Sequence, residues 1–279
     1  MPTTSRQAAL YDATQQLQHL DTPRLDAEIL LTHVLGISRV QLYAWPEKLL
    51  SAEQWQQFQD LVKQRIEHHP IAYLTGHKEF WSLDLQVNSA TLIPRPETEL
   101  LVEQALKYIL TIDQPIILDL GTGSGAIALA LAQECPHARI IAVDVNPQVL
   151  EMARHNAQTL QLDNVQFYLS HWFQDLPKLQ AHLIVSNPPY IADNDPHLSQ
   201  GDVQFEPQQA LVSGQDGLDD IREIAAQASS FLLAEGYLLF EHGYNQSVEV
   251  QNILIAQGYQ NVETIKDWAG QDRVSLGQG

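Results

Sequence analysis

A glycine-rich turn set between an apolar strand and an apolar helix is the tightest constraint on this chain. Ile116 to Leu120 is a run of aliphatic residues interrupted only by Asp119. Asp119-Leu120-Gly121-Thr122-Gly123-Ser124-Gly125-Ala126 follows without a break, and alanines and leucines then continue to Glu134. A strand that is apolar on both faces must be covered on both, which places it inside a parallel sheet. From Pro115 onward the pattern repeats. Arg139 to Asp144, Val165 to Leu169, His182 to Asn187 and Tyr237 to Glu241 read as strands. Helices from Pro147, from Leu218 to Ala234 and on to about Gln257 separate them, and further strands end the chain. Such alternation predicts an α/β fold, a doubly wound, Rossmann-like sheet.

The N-terminal part has a different period. Thr22-Pro23 reads as an N-cap followed by proline in the first turn, and Leu25, Ile29, Leu30, Val34 and Leu35 recur at helical spacing until Gly36. Ser51, followed by Glu53 and Gln54, opens another helix through Trp55, Phe58, Leu61, Val62 and Ile66. Four or five short helices make a small bundle. Between Lys78 and Pro94 the period changes: Phe80, Leu83, Leu85 and Val87 are strand-like, Asn88-Ser89 supplies turn chemistry, and Pro94-Arg95-Pro96 blocks a helix. Thr98-Glu99 then starts an amphipathic helix to about Leu110. The expected organisation is a helical domain over 1–76, a β-hairpin linker over 77–96 and an α/β domain over 97–279.

Charge and composition narrow the partners. Fifteen Lys and Arg face 34 Asp and Glu, a formal charge of −19. The first 80 residues hold 7 basic and 9 acidic residues, and the remainder 8 and 25. Gripping phosphates needs clustered cations, so direct binding of nucleic acid is not expected. No run approaches the roughly 20 apolar residues that span a bilayer, and Met1 to Leu10 lacks the features of a signal peptide. Cys135, the single cysteine, has no partner for a disulfide and reads as a small buried helix residue in a reducing compartment. The expectation is a cytoplasmic monomer with no membrane association. None of the 11 histidines shows HxH or HxxxH spacing, so no metal is expected.

Glycines let a backbone turn sharply and approach a ligand closely, and open α/β sheets bind ligands beyond the carboxyl ends of their strands. Asp144 ends the next strand, where a carboxylate can accept from both hydroxyls of a ribose. Gly121, Gly123 and Ala126 also satisfy GxGxxG/A, so the turn alone leaves a nicotinamide dinucleotide open beside S-adenosylmethionine. Ser186-Asn187-Pro188-Pro189-Tyr190 closes the fourth strand, next to the first. Two prolines there make a rigid loop. The Asn187 side-chain carbonyl and the Pro188 backbone carbonyl can take the two hydrogens of one planar NH2 group while the Tyr190 ring stacks on its plane. An amide nitrogen is a poor nucleophile, so aiming it at an activated methyl and stabilising the charge that develops on it is the catalysis such a loop can offer. Glutamine and adenine both carry such an NH2.

Beyond these motifs, Leu92 to Glu99, Glu206-Pro207 with Ala210-Leu211, Gly214 with Asp216-Gly217-Leu218, Glu241-His242-Gly243 with Gln246, and Asp267 with Gly270, Asp272 and Arg273 extend the pattern. With the glycine loop and Asn187 to Tyr190, the chain resembles the peptide chain release factor glutamine methyltransferase family over nearly its whole length. That resemblance implies S-adenosyl-L-methionine as methyl donor, S-adenosyl-L-homocysteine as product, and the glutamine of the Gly-Gly-Gln loop of bacterial class I release factors as substrate. It implies that Gly121, Thr122, Gly123, Ser124, Gly125, Asp144, Trp172 and Asn187 hold the donor. Asn187, Pro188 and Tyr190 would be catalytic. Pro189, Arg95 and Glu206 would join those three around the substrate, and the helical domain would dock the factor. A protein-glutamine methyltransferase of a ribosomal protein and an adenine amino-methyltransferase are the alternatives. One position departs from the family pattern: His171 stands before the tryptophan where an Asp is common.

Overall fold

Helix-start chemistry shapes the N-terminal third. In the computed structural model, which describes residues 4–279, α1 (Arg6–Gln16), α2 (Pro23–Leu35), α3 (Arg39–Ala44), α4 (Ala52–Ile66) and α5 (Ile71–Thr75) follow one another. Ser51 with Gln54, and Ser38 with Gln41, each form a reciprocal capping box that satisfies two otherwise orphaned backbone donors. Leu10, Leu30, Leu31, Phe58 and Val62 fill the core between these helices. The chain divides into two compact units, Met1–His77 with Ser199–Phe205, and Lys78–Leu198 with Glu206–Gly279. In the first unit the returning segment is tied by Arg65 Nη1 to Asp202 Oδ1 at 2.7 Å and by the His69 ring on Phe205.

Helix α2 departs from the expected pattern. Thr22 is at its N-cap, but the hydroxyl donates to Asp26 Oδ1 at 2.7 Å instead of capping a backbone amide. The buried stripe centres on Ala27, Leu30 and Leu31, and Leu25 is 40% exposed. Two acids are drawn inward by cations: Asp26 by Arg65 at 2.7 Å, and Glu28 by Arg24 at 2.7 Å and by Arg39. Apolar periodicity alone does not register such pairs.

A hairpin follows, of β1 (His77–Phe80) and β2 (Leu83–Gln86), whose turn residues Trp81 and Ser82 both have positive φ; all of it but His77 belongs to the second unit. Then come α6 (Glu99–Ile109), β3 (Ile116–Leu120), α7 (Ala126–Glu134), β4 (Arg139–Asp144), α8 (Pro147–Thr159), β5 (Val165–Leu169), β6 (Ala181–Ser186), α9 (Asp219–Ala228), β7 (Leu232–Glu241), α10 (Ser247–Ala256), β8 (Gln260–Lys266) and β9 (Asp272–Gln278). The seven-stranded sheet has the order β5-β4-β3-β6-β7-β9-β8. Ile117 packs into one apolar layer and Leu118 with Leu120 into the other, so β3 is covered on both faces. This is the doubly wound α/β architecture. The chain leaves β3 toward β4 and β5, then returns to β6 on the other side, so the switch point lies between β3 and β6.

Two details differ from the sequence reading. The helix expected to reach Ala234 ends at Ala228, and β7 begins at Leu232, because Leu232 pairs with Ala181 of β6. The last strands are not parallel: β9 runs antiparallel to both β7 and β8. Only a tight turn with Gly270 at φ +80° joins β8 to β9, too short for the crossover a parallel pair requires. Among the described residues no helix is long and apolar enough to cross a membrane.

Candidate active site

The switch point is held shut by Ser186, whose buried hydroxyl donates to Leu120 O at 2.8 Å and locks the carboxyl ends of β6 and β3 together. The two loops that leave these ends face a cavity of about 340 Å³. Gly121, Gly123, Asp144, Trp172, Asn187 and Pro189 all line it. Of the remaining residues read from the sequence as donor contacts, Thr122, Ser124 and Gly125 are not in its wall. Thr122 turns its hydroxyl to Asp119 Oδ2 at 2.7 Å, and Ser124 O accepts from Asn156 Nδ2 at 2.9 Å. At Gly125 a Cβ would come within 3.0 Å of Leu129, so its glycine serves close packing of α7.

Loop geometry is set largely by backbone. Gly121 and Thr122 both donate to Val143 O, and Gly123 donates to Asp144 Oδ2 at 3.1 Å. Asp144 Oδ1 accepts from Asn146 N at 2.9 Å, which leaves lone pairs on both oxygens beside the cavity. Burial raises the Asp144 carboxyl above its ordinary range, against the pull of these amides. Under the loop, Asp119 is wholly buried; burial first, then the Asp144 charge, push it up to about 7 despite bonds from Thr122 and Ala128. Its Oδ1 has no hydrogen-bond partner, and neither has the buried Trp172 Nε1. His171 joins the wall, with Nδ1 3.4 Å from Glu223.

The second loop is fixed by side chains from distant parts of the unit. Asn187 Nδ2 donates to Thr98 Oγ1 at 3.2 Å, so the amide is held by its nitrogen end. The Tyr190 hydroxyl donates to Glu241 Oε1 at 3.3 Å, and Gln246 Nε2 donates to Tyr190 O at 3.0 Å. Pro188 is buried, and neither it nor Tyr190 contributes to the cavity wall. Glu241 is buried, and its Oε2 has no close hydrogen-bond partner. Burial pushes its carboxyl up to about 7, opposed by the polar Thr98 and Tyr190 side chains and the Arg273 charge, and reinforced by the Glu97 charge. Burial also raises the Tyr190 phenol, so it stays a donor.

Arg95 and Glu206 pair with each other and stand outside the wall. Glu206 is fully enclosed and also accepts from Ile93 N at 3.1 Å, so both of its oxygens are used. Pro207, the next residue, does line the cavity. The pair therefore anchors the loop that follows Tyr190 to the chain before α6. Thr98 and Glu241 received no site role from sequence reading. Ala90 to Leu92, Val145 and Asn146, also in the wall, were missed too. The exposed Val145, directly after Asp144, was the one local signal. No group of three or more His, Cys, Asp or Glu suited to a metal occurs among the described residues.

Residues 8–76 match the PrmC N-terminal domain and residues 96–206 the methyltransferase small domain. A release factor glutamine methyltransferase of Vibrio cholerae is 52% identical over 98% of this chain and 96% of its own length. One of Escherichia coli is 51% identical over 96% of this chain and 97% of its own. A solved methyltransferase from Pyrococcus furiosus shares the fold, with TM-score 0.54 at 19% identity over 77% of this chain and 95% of that one. With identity near one half sustained along almost the entire length, the chain belongs to the release factor glutamine methyltransferase family.

Proposed function

We propose that this protein methylates the side-chain amide nitrogen of the glutamine in the Gly-Gly-Gln motif of bacterial class I release factors, with S-adenosyl-L-methionine as donor. The observation that carries the reading is the Asn187 amide: with Nδ2 given to Thr98, its oxygen is left as an acceptor at the cavity. An acceptor there suits an incoming N–H and disfavours an incoming carbonyl.

The cavity fits the donor on three counts. Gly121 and Gly123 leave room for close backbone approach, and the partly satisfied Asp144 carboxylate can accept from ribose hydroxyls. The buried Trp172 Nε1 is an unused donor beside the same space. When bound, the donor supplies a methyl group on a positively charged sulfur, already activated for displacement. The chain's own residues hold the acceptor. Asn187 Oδ1 takes an amide hydrogen, Pro189 bounds the same space, Pro188 and Tyr190 hold the loop from behind, and the Arg95 and Glu206 pair fixes the segment beside it. Orientation of this kind accounts for several powers of ten in rate without a strong base. The helical unit docks the factor, and Val40, Trp45 and Leu49 are the exposed apolar side chains it offers for that contact, in a reducing cytoplasm.

The test is mass spectrometry of a full-length release factor after incubation with protein and donor. One added methyl on the motif glutamine is expected, and none when that glutamine is replaced. In the same assay Val40→Ser with Trp45→Ser should raise KM for the intact factor with kcat and donor binding unchanged. A methylated ribosomal protein or adenine with an untouched factor would overturn the assignment.

A further inference from the structure

Two carboxylates stand in the wall of the cavity, and only Asp144 has a task so far. The other is Asp220, half-buried in the first turn of α9. The buried Ser213 hydroxyl donates to Asp220 Oδ2 at 2.6 Å and accepts from Asp220 N at 2.8 Å, so one oxygen of the side chain is pinned. Asp220 Oδ1 takes no hydrogen bond among the described residues and is free to accept from a ligand. The same face of α9 carries Glu223, three residues on, whose Oε1 lies 3.4 Å from His171 Nδ1. His171 packs beside Trp172, with ring centroids 5.6 Å apart, and both rings line the cavity. Asp220 therefore belongs to the aromatic end of the cavity, where a flat base has surfaces to lie on.

We propose that Asp220 is the acceptor for the adenine amine of the methyl donor, and that its free oxygen makes the site select an amino base over the corresponding oxo base. This rests on the reading of S-adenosylmethionine as the donor. A carboxylate only accepts, so it favours a group that brings N–H bonds and repels a carbonyl oxygen in the same place. The Asp144 carboxylate, bound by the amides of Gly123 and Asn146, is taken up by the ribose hydroxyls. His171 stands where the family pattern has an acid, and it does not replace that acid: its Nδ1 is turned to Glu223 and lies 3.3 Å from Gln174 Nε2. The negative charge that an exocyclic amine calls for comes instead from α9, across the cavity wall from the position where it is expected.

Calorimetry with two ligands tests the assignment without any methyl transfer: S-adenosylhomocysteine, and S-inosylhomocysteine, in which oxygen replaces the exocyclic amine. The unaltered protein should bind the adenosyl compound about tenfold or more tightly than the inosyl one. Asp220→Asn keeps an oxygen for Ser213 and turns an NH2 toward the base. It should weaken the adenosyl compound about tenfold and leave the inosyl one no weaker, so that the preference vanishes or reverses. Asp220→Ala, which removes both oxygens, should abolish the preference as well. Ser213→Ala loosens the start of α9 but leaves the carboxylate, and should keep the preference. An undiminished preference in Asp220→Asn and Asp220→Ala overturns the assignment. Equal weakening of both ligands in those variants, matched by Ser213→Ala, overturns it in favour of simple packing. Absence of binding of either ligand by the unaltered protein would sink the reading of the donor itself, and the assignment with it. That failure is distinguishable, because it appears before any residue is changed.

Discussion

The two loops at the switch point are built on opposite plans, although each rests on a buried carboxylate with one unpartnered oxygen, Asp119 under one and Glu241 under the other. In the Gly121 to Gly125 loop, backbone makes the surface and side chains turn inward: Thr122 to Asp119, and Gly125 under Leu129. In the Asn187 to Tyr190 loop, side chains make the surface, and residues far off in the chain hold them. A backbone cradle suits a ligand that needs room and amides. A side-chain cradle suits one atom that must be aimed. The difference predicts separable failures: damage to the first loop should appear in donor affinity, damage to the second in the rate of methyl transfer.

The sharpest way to break that division is to remove one polar group from each side. Asn187→Ala should lower kcat on the order of 10²- to 10³-fold, the usual loss when one preorganised polar group at a reacting centre is removed. Asp144→Asn should weaken donor binding about tenfold or more with a smaller change in kcat at saturation. Calorimetry with S-adenosylmethionine and single-turnover kinetics separate the two. Equal losses of affinity in both variants would mean the loops act as one site with no division of labour.

A subtler comparison uses glycines. Gly123 has φ +57° and open space where a Cβ would go, so Gly123→Ala meets backbone strain alone, about 1–2 kcal/mol. Gly217 has φ +77°, and its Cβ would lie 2.3 Å from Tyr190 O and 2.9 Å from Gln246 Nε2. Gly217→Ala must therefore push the second loop aside, adding roughly 1–3 kcal/mol of overpacking to the same strain. Thermal unfolding should show the larger loss for Gly217→Ala, accompanied by a fall in kcat that Gly123→Ala does not share. A larger kcat loss in Gly123→Ala would reverse the proposed plans.

The same contrast explains what was legible in the sequence. The first loop is local: strand, glycines, helix and the acid ending the next strand all lie within a short stretch, each with an independent steric reason. Asn187 was legible because two prolines after an apolar strand have few other uses. Thr98 and Glu241, in contrast, meet the loop across 89 and 51 residues of chain, and no periodicity encodes such a meeting. Arg95 and Glu206, expected around the substrate, are 111 residues apart, and nothing local to either position announces that they pair with each other. The antiparallel β9 and the inward acids of α2 escaped for a related reason. Hydrophobic pattern records which face is buried, and says little about strand direction or about which cation accompanies a buried acid.

The smallest expected signal concerns the two buried carboxylates. Both are held up to about 7 in the folded protein, against ordinary values of 3.8 for Asp119 and 4.5 for Glu241. Between about pH 4 and about pH 7 the unfolded chain has released these protons while the folded one keeps them, so folding is favoured less as pH rises through that window. Each group contributes a decline of at most about 1.4 kcal/mol per pH unit, levelling off above about 7. His242 acts in the opposite sense, since burial lowers its pKa and its neutral form becomes easier to keep as pH rises. The native curve therefore mixes both slopes, and the informative quantity is the difference between variant and native. Asp119→Asn and Glu241→Gln should each make stability less dependent on pH between 4 and 7 in urea titrations, and the two changes should add, as separate groups require. If only Asp119→Asn flattens the curve, Glu241 is already ionised in the resting enzyme well below neutral pH.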